Sequence, residues 1–401
     1  MTSAAQQGSL FKAALLITGT TIGGGMLAMP VLTSPGGFGP SLLIYALCWL
    51  FMMLTGLLML ELGTWVKGDA NIISMAEKTI GLPGKICAWL LYLFLFFCLT
   101  IAYMEGSGEL FAELSGGLLA DWQGTLLFIA IFVPFVYLGT RAVGAINILL
   151  MACLAFFYFT FVIIGFPYVK AENLQHVNWS LSLGGLPIAF TAFAYQGTVP
   201  TLMHYLHGDV VKGRKAIIYG SLAALTTYLL WQWLILGIIP TFGPGSLEEA
   251  LAEGQTAVHP LKDIINAQYV YLIGQCFAFF ALVTSFLGVS LGLVDFLADG
   301  LDIKKTANGK LLISLLIFVP TFIISAVYPH IFLEALNYAG GFGCALLLGL
   351  LPILMVWVGR YRKGYTSNFR VPGGKTLLGV LILFVCFELW VEFSHLIQKF
   401  S

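Results

Sequence analysis

Long apolar stretches broken by short polar segments run almost the whole length of the chain, from about residue 11 to residue 396. A helix that crosses a bilayer needs about 20 mainly apolar residues, and eleven stretches meet that length. They cover 11–33, 40–65, 86–112, 122–139, 143–168, 184–206, 215–240, 269–297, 310–328, 332–358 and 376–396. The longest connection, 241–268, is too short for a soluble domain, so function has to sit inside the helical bundle. The pattern predicts an all-α integral membrane protein whose residues 1–401 form one domain.

Two of these stretches carry breaking residues at mid-depth. The first reads Gly19-Thr20-Thr21-Ile22-Gly23-Gly24-Gly25-Met26-Leu27-Ala28-Met29-Pro30, and each glycine costs a helix about 1 kcal/mol relative to alanine. The sixth reads Phe190-Thr191-Ala192-Phe193-Ala194-Tyr195-Gln196-Gly197-Thr198-Val199-Pro200. The breaks recur five spans apart. Each set of five holds an odd number of crossings, so the second set, 184–358, must be inverted relative to the first, 11–169, with 376–396 left as an extra helix. Discontinuous helices in such repeats meet near the midplane and form a substrate site. Opened N–H groups at a half-helix N-terminus attract a carboxylate, and freed carbonyls at a half-helix C-terminus attract an ammonium or a small cation. An amino-acid zwitterion offers both charges. Taken singly, either segment could instead be a small-residue packing face or a simple kink. Asn337 to Gly343 in the tenth span reads as packing or as a flexible gate.

Charge fixes the expected orientation. Only 9% of residues are charged and 59% are hydrophobic, against roughly 25% charged in soluble domains. The balanced formal charge argues against a nucleic-acid partner. When loops are assigned alternately to the two faces, sixteen Lys and Arg fall on the side of the N-terminus, among them Lys67, Lys212, Arg214, Arg360 and Arg362. The other side receives Lys170, Lys262 and Lys399, together with Glu248, Glu249 and Glu253. This bias places the N-terminus in the cytoplasm and the C-terminus outside. The first span is too long and too poorly flanked for a cleaved signal and reads as a retained helix. Seven cysteines in apolar segments imply neither a disulfide framework nor a zinc site.

The segments Gly19 to Pro30, Gly197 to Pro200 and Thr284 to Asp299 resemble the hydroxy and aromatic amino-acid permeases, and the likeness extends over nearly the whole chain. The resemblance implies the LeuT-type fold of the amino-acid/polyamine/organocation superfamily, with broken helices 1 and 6. It also implies a bacterial inner-membrane location and symport of an aromatic amino acid, tyrosine foremost, usually with protons. On the family pattern the substrate carboxylate lies on the backbone of Gly23, Gly24 and Gly25. The ammonium faces the carbonyl side of the two breaks, at Thr20 and Thr21 and at Phe193 and Ala194. Phe190, Phe193, Tyr195, Gln196 and Gly197 then border the side-chain pocket, with Tyr103 opposite. No organic cofactor is implied.

For coupling, Glu61, Glu105, Glu109 and Glu388 lie deep in spans, Asp295 lies near a span end, and no Lys or Arg lies deep in any. Intramembrane acids are costly and tend to face the bundle or take a proton. Glu105 and Glu109, four apart, share a helix face. The fifth span lacks the basic residue that some proton-coupled relatives of this fold carry. Thr284 and Ser285 match the hydroxyl pair of a sodium position, so sodium stays open as the alternative, as does carriage of tryptophan or another neutral amino acid. Gly288-Val289-Ser290-Leu291-Gly292 matches a nucleophile motif, but that chemistry needs a strand-to-helix turn, so an enzyme is not expected. A channel is the remaining rival. His204 and His207 at the inner end of the sixth span receive no role. Residues 246–267 are expected to form an amphipathic lid over the cavity.

Overall fold

The computed structural model describes residues 8–66, 71–116, 118–264 and 268–400, and no strand occurs among them. Lys67, one of the charges used for orientation, lies outside these residues, as do residues 265–267 of the expected lid. The helices are α1 (Leu10–Thr21), α2 (Gly25–Thr33), α3 (Phe38–Trp65), α4 (Ile72–Ile80), α5 (Leu82–Leu114), α6 (Asp121–Leu138), α7 (Thr140–Gly165), α8 (Trp179–Ser182) and α9 (Leu186–Ala192). They continue with α10 (Val199–Tyr205), α11 (Val210–Ile238), α12 (Leu247–Ala252), α13 (Leu261–Ile264), α14 (Gln268–Gly300), α15 (Ala307–Val327), α16 (Phe332–Tyr338), α17 (Leu351–Tyr361) and α18 (Gly374–Phe400). Between α16 and α17 the chain winds as a π-helix, Ala339–Leu350.

Among the described residues nine helices are long and apolar enough to cross a membrane, and the bent pair α1 and α2 adds a tenth. The expectation of eleven depends on counting α9 and α10 as one crossing. Each has seven residues, so neither reaches that length alone. Both begin with a proline in the first turn, Pro187 and Pro200. There the missing N–H costs nothing and the fixed φ suits a helix start.

Helix α1 lies along α11, α2 packs on α9, and α14 runs between α5 and α7. Helix α18 covers the π-helical segment. Small residues make these approaches possible. A Cβ on Gly340 would stand 1.8 Å from the carbonyl oxygen of Pro187, and one on Gly343 would stand 2.9 Å from Leu95. The small residues of the tenth span are therefore packing surfaces.

The expected lid takes the form of two short helices, α12 and α13, rather than one amphipathic helix. Leu247, Ala250, Ala257, Val258 and Leu261 are buried, and the N–H of Ala257 donates to the carbonyl of Leu27 on α2 at 3.0 Å. The segment is thus fastened to the second half of the first span.

One expectation is overturned outright. Arg360 was assigned to a loop, yet it lies in the last turn of α17 with its side chain 3% exposed. It is tolerated there because Glu61 meets it twice, Nε to Oε1 at 2.7 Å and Nη2 to Oε2. The N–H of Val371 adds a further bond to Glu61 at 2.8 Å.

Candidate functional site

At the first break the chain leaves the helix at Ile22, which is extended (φ −74°, ψ 114°), and resumes at Gly25 with the axis turned by 55°. The glycines are required by what crowds them. A Cβ on Gly23 would lie 2.4 Å from Ser285 Oγ, and one on Gly24 would lie 2.6 Å from the ring of Tyr103. Gly25 abuts Ala192, where a Cβ would stand 3.3 Å from the Ala192 Cα. The second break spans Phe193 to Tyr195, followed by a single 3-10 turn at Gln196–Thr198. The C-terminal end of α9 and the N-terminal end of α2 are therefore in direct contact, which brings oppositely signed helix ends together.

Backbone groups opened at this depth need partners, and α11 supplies several of them. The hydroxyl of Tyr228 lies 2.6 Å from the carbonyl of Thr21 and 3.0 Å from that of Ala192, so one phenol donates between the last carbonyls of both half-helices. Pro30 has no N–H to offer the carbonyl of Met26 four residues back, and the indole of Trp231 donates to it instead at 2.9 Å. One residue further along α11, Gln232 donates to Thr33 at 2.8 Å and accepts from Tyr45 at 2.6 Å. Sequence reasoning missed this stripe. Its signal was the polar and aromatic residues at 228, 231 and 232, spaced for one helix face.

A cavity of about 680 Å³ opens beside the breaks. Its wall includes Thr20, Thr21, Gly23, Gly25, Tyr103, Ala194, Tyr195, Gly197, Thr284 and Ser285, all anticipated from the sequence. It extends past Leu15 of α1, Ile72 of α4 and Gly292 and Asp295 of α14, toward the side on which α1 begins and away from α12 and α13. Asp295 forms an ion pair at 2.9 Å with Lys305, which lies beyond the end of α14. That hydrogen bond raises the ammonium above the ordinary lysine range.

Other anticipated residues sit elsewhere. Phe190 stands outside the cavity wall, stacked at 5.8 Å on Phe384 of α18 and tilted at 5.1 Å against Phe51. Phe193 is wedged edge-on between Tyr45 and Tyr228. Gln196 is fully buried. Its amide donates to the carbonyl of Met52 and to Thr55 at 3.1 and 2.9 Å and accepts the N–H of Tyr195 at 2.9 Å, so it stitches the second break to α3. The Tyr195 hydroxyl donates to the Met52 carbonyl at 3.3 Å. Gly24 is not on the wall, and its N–H donates to Ser285 Oγ at 3.0 Å. The hydroxyls of Ser285 and Thr284 both donate to carbonyls of their own helix at 2.8 Å. Aromatic walling comes mainly from α5, where Tyr92, Phe96, Leu99 and Tyr103 share one face.

The buried acids fall into separate groups. Glu61 belongs to the Arg360 pair, away from the first break. Glu105 accepts the N–H of His330 at 2.8 Å, and Glu109 lies one turn on; each has one buried oxygen without a hydrogen-bond partner among the described residues. Glu113, the next turn, accepts from Gln275 at 2.6 Å and from Tyr271, and pairs with His259 of the α12–α13 connection at 3.4 Å. Ser290 is buried inside the continuous helix α14, with no strand-to-helix turn beside it.

Two half-helix pairs joined across a cavity in an all-helical apolar bundle define a membrane permease of the broken-helix kind. The chain belongs to the tryptophan/tyrosine permease family, whose model matches residues 6–392. It is 34% identical to the tyrosine-specific transport system 1 of Haemophilus influenzae, over 92% of this chain and 93% of that one. It is 32% identical to tyrosine-specific transport system 2 of the same organism, over 94% and 96%. With the tryptophan-specific transport protein of Shigella flexneri it shares 31% identity over 94% and 92%. Among solved structures it resembles MhsT in complex with L-phenylalanine, with a TM-score of 0.65 and 17% identity over 96% of this chain and all of that one. That likeness supports the LeuT-type fold. The family consists of transport permeases, and the chain is not an enzyme.

Proposed function

We propose that the protein is a symporter that imports an aromatic amino acid, tyrosine before tryptophan, across the bacterial inner membrane by alternating access. The observation that carries this reading is the meeting of α2's N-terminal end with α9's C-terminal end on a cavity whose α5 wall is aromatic. A zwitterion with a flat ring matches both features. The carboxylate is assigned to the backbone of Gly23 and Gly25 on the cavity wall, the N–H of Gly24 being held by Ser285. The ammonium is assigned to the carbonyl side at Thr20, Thr21, Phe193 and Ala194. The ring is assigned to the space bounded by Tyr103, Phe96 and Tyr92, with Tyr195 and Gly197 beside it. The tyrosine-specific names of two relatives support tyrosine. Competition of unlabelled amino acids against labelled tyrosine uptake tests the assignment, and leucine competing as well as tyrosine would sink it.

Residues 11–169 and 184–358 are the two inverted repeats in this reading. The N-terminus is cytoplasmic and the C-terminus periplasmic, as the lysine and arginine bias supports. The cavity then opens to the cytoplasm, with α12 and α13 closing the outer side. The coupling ion is a proton, a reading supported by buried carboxyls such as Glu105 and Glu109. Sodium is the second reading, favoured by the position of Thr284 and Ser285 on the cavity wall; hydroxyl and carbonyl oxygens suit a hard cation. Uptake into vesicles under an imposed pH gradient or an imposed sodium gradient decides between them.

A further inference from the structure

Helix α18 lies outside both repeats, yet it carries a carboxyl that the substrate site does not use. Glu388 is fully buried, and neither of its oxygens has a hydrogen-bond partner among the described residues. The titratable groups that face it are Cys48 on α3, Cys344 in the π-helical segment and Glu392 on its own helix. Helix α9 and residues 183–185, which also pack on α18, contain none. On α17 the buried cation Arg360 is held by Glu61.

Glu392 is 4% exposed and rests on Gly341, where a Cβ would come within 2.8 Å of its carboxyl carbon. Three residues further, the exposed ring of His395 lies against Gly184, 3.5 Å from where a Cβ would stand. Positions 388, 392 and 395 share one helix face. They form a row of proton-exchanging groups from the end of α18 to an enclosed seam. A carboxylate without donors is strongly disfavoured in such a seam, whereas a neutral carboxyl is tolerated.

One turn in the other direction on the same face is Phe384, which stacks on Phe190 of α9. Phe190 precedes by two residues the Ala192 carbonyl held by Tyr228. The seam around Glu388 is thus in mechanical contact with one wall of the substrate site.

We propose that Glu388 is a proton-binding site of the transport cycle, reached from His395 through Glu392. The inference rests on the proton-coupled reading above. One proton moves in two steps. An N–H bond of the His395 imidazolium breaks as an O–H bond forms on the Glu392 carboxylate. That O–H then breaks as one forms on the Glu388 carboxylate, which leaves Glu392 ionised and His395 neutral until His395 takes up the next proton from water. In the conformation seen here Glu388 holds the proton. Its loss leaves a charge that the dry seam cannot keep, so the deprotonated protein parts α18 from the π-helical segment and shifts α9 with it.

The test uses the full chain in vesicles containing a pH-sensitive dye. Tyrosine accumulation under a pH gradient, internal acidification and exchange between preloaded and external tyrosine are read in parallel. For Glu388→Gln the expected result is loss of gradient-driven accumulation and of acidification, with exchange retained. Glu392→Gln is expected to slow acidification while sparing exchange. Accumulation and acidification at the native level in E388Q would overturn the site. So would loss of exchange in an inserted E388Q protein, which would mark a structural role. If E388Q does not insert, the E392Q result decides alone: native acidification in that variant overturns the route. A native protein indifferent to a pH gradient and driven by sodium refutes the proton-coupled reading itself, before any variant is measured.

Discussion

The N–H of Gly24 donates to the side-chain oxygen of Ser285 at 3.0 Å, so the first break is pinned to α14 by a single hydroxyl. The position has no room for a side chain, because a Cβ on Gly24 would stand 2.6 Å from the Tyr103 ring. Gly24→Val is expected to abolish tyrosine uptake while the protein still inserts. Uptake assays paired with surface-accessible labelling of the membrane fraction check both halves of that expectation.

The Tyr228 hydroxyl is the shared partner of two freed carbonyls. Tyr228→Phe keeps the ring against Phe193 and removes only the donor, leaving both carbonyls short of a partner at a cost of about 1 to 3 kcal/mol. Substrate affinity should fall by about tenfold or more. Isothermal titration or ligand-induced stabilisation of the purified protein measures it; an unchanged affinity would show that the bridge is not coupled to binding.

The Glu61–Arg360 pair is a structural clamp. Removing one partner strands a buried charge, so Arg360→Met should destabilise by about 3 to 5 kcal/mol, and the double variant with Glu61→Leu should recover much of it. Thermal unfolding of the proteins in detergent gives the comparison. Full stability in Arg360→Met alone would contradict the burial of the pair.

The aromatic residues divide by position. Phe96→Leu and Tyr103→Leu should raise the KM for tyrosine, because both rings wall the cavity. Phe190→Leu should leave KM near the native value and lower thermal stability by about 1 kcal/mol, the usual scale for lost aromatic pairing. Initial uptake rates over a range of tyrosine concentrations separate the two groups, and a KM effect confined to Phe190 would reverse the assignment.

Both breaks were legible because glycine clusters and prolines at mid-depth have few explanations in a membrane helix. Tyr103, expected opposite the breaks, lines the cavity, and so do Thr284 and Ser285, which the sequence offered as a sodium position. The faces of short half-helices were not legible: Phe190 and Gln196 sit next to the second break in sequence, yet face α18 and α3. A helix turns about 100° per residue, so proximity to a break does not say which neighbour a side chain meets. Arg360 was misplaced for a related reason. A span end read from hydropathy stops at the first charge, whereas a charge with a partner such as Glu61 allows the helix to continue.

The indole of Trp231 occupies the vacancy that Pro30 makes in its own helix, which joins α2 to α11 through a group neither can replace from within. In the proposed alternating-access cycle, a movement that parts α2 from α11 has to break this bond and leave the Met26 carbonyl without its donor. Since Tyr228 grips the Thr21 carbonyl as well, α11 holds the first span on both sides of its break, and residues 22 to 24 can bend only as those bonds are exchanged.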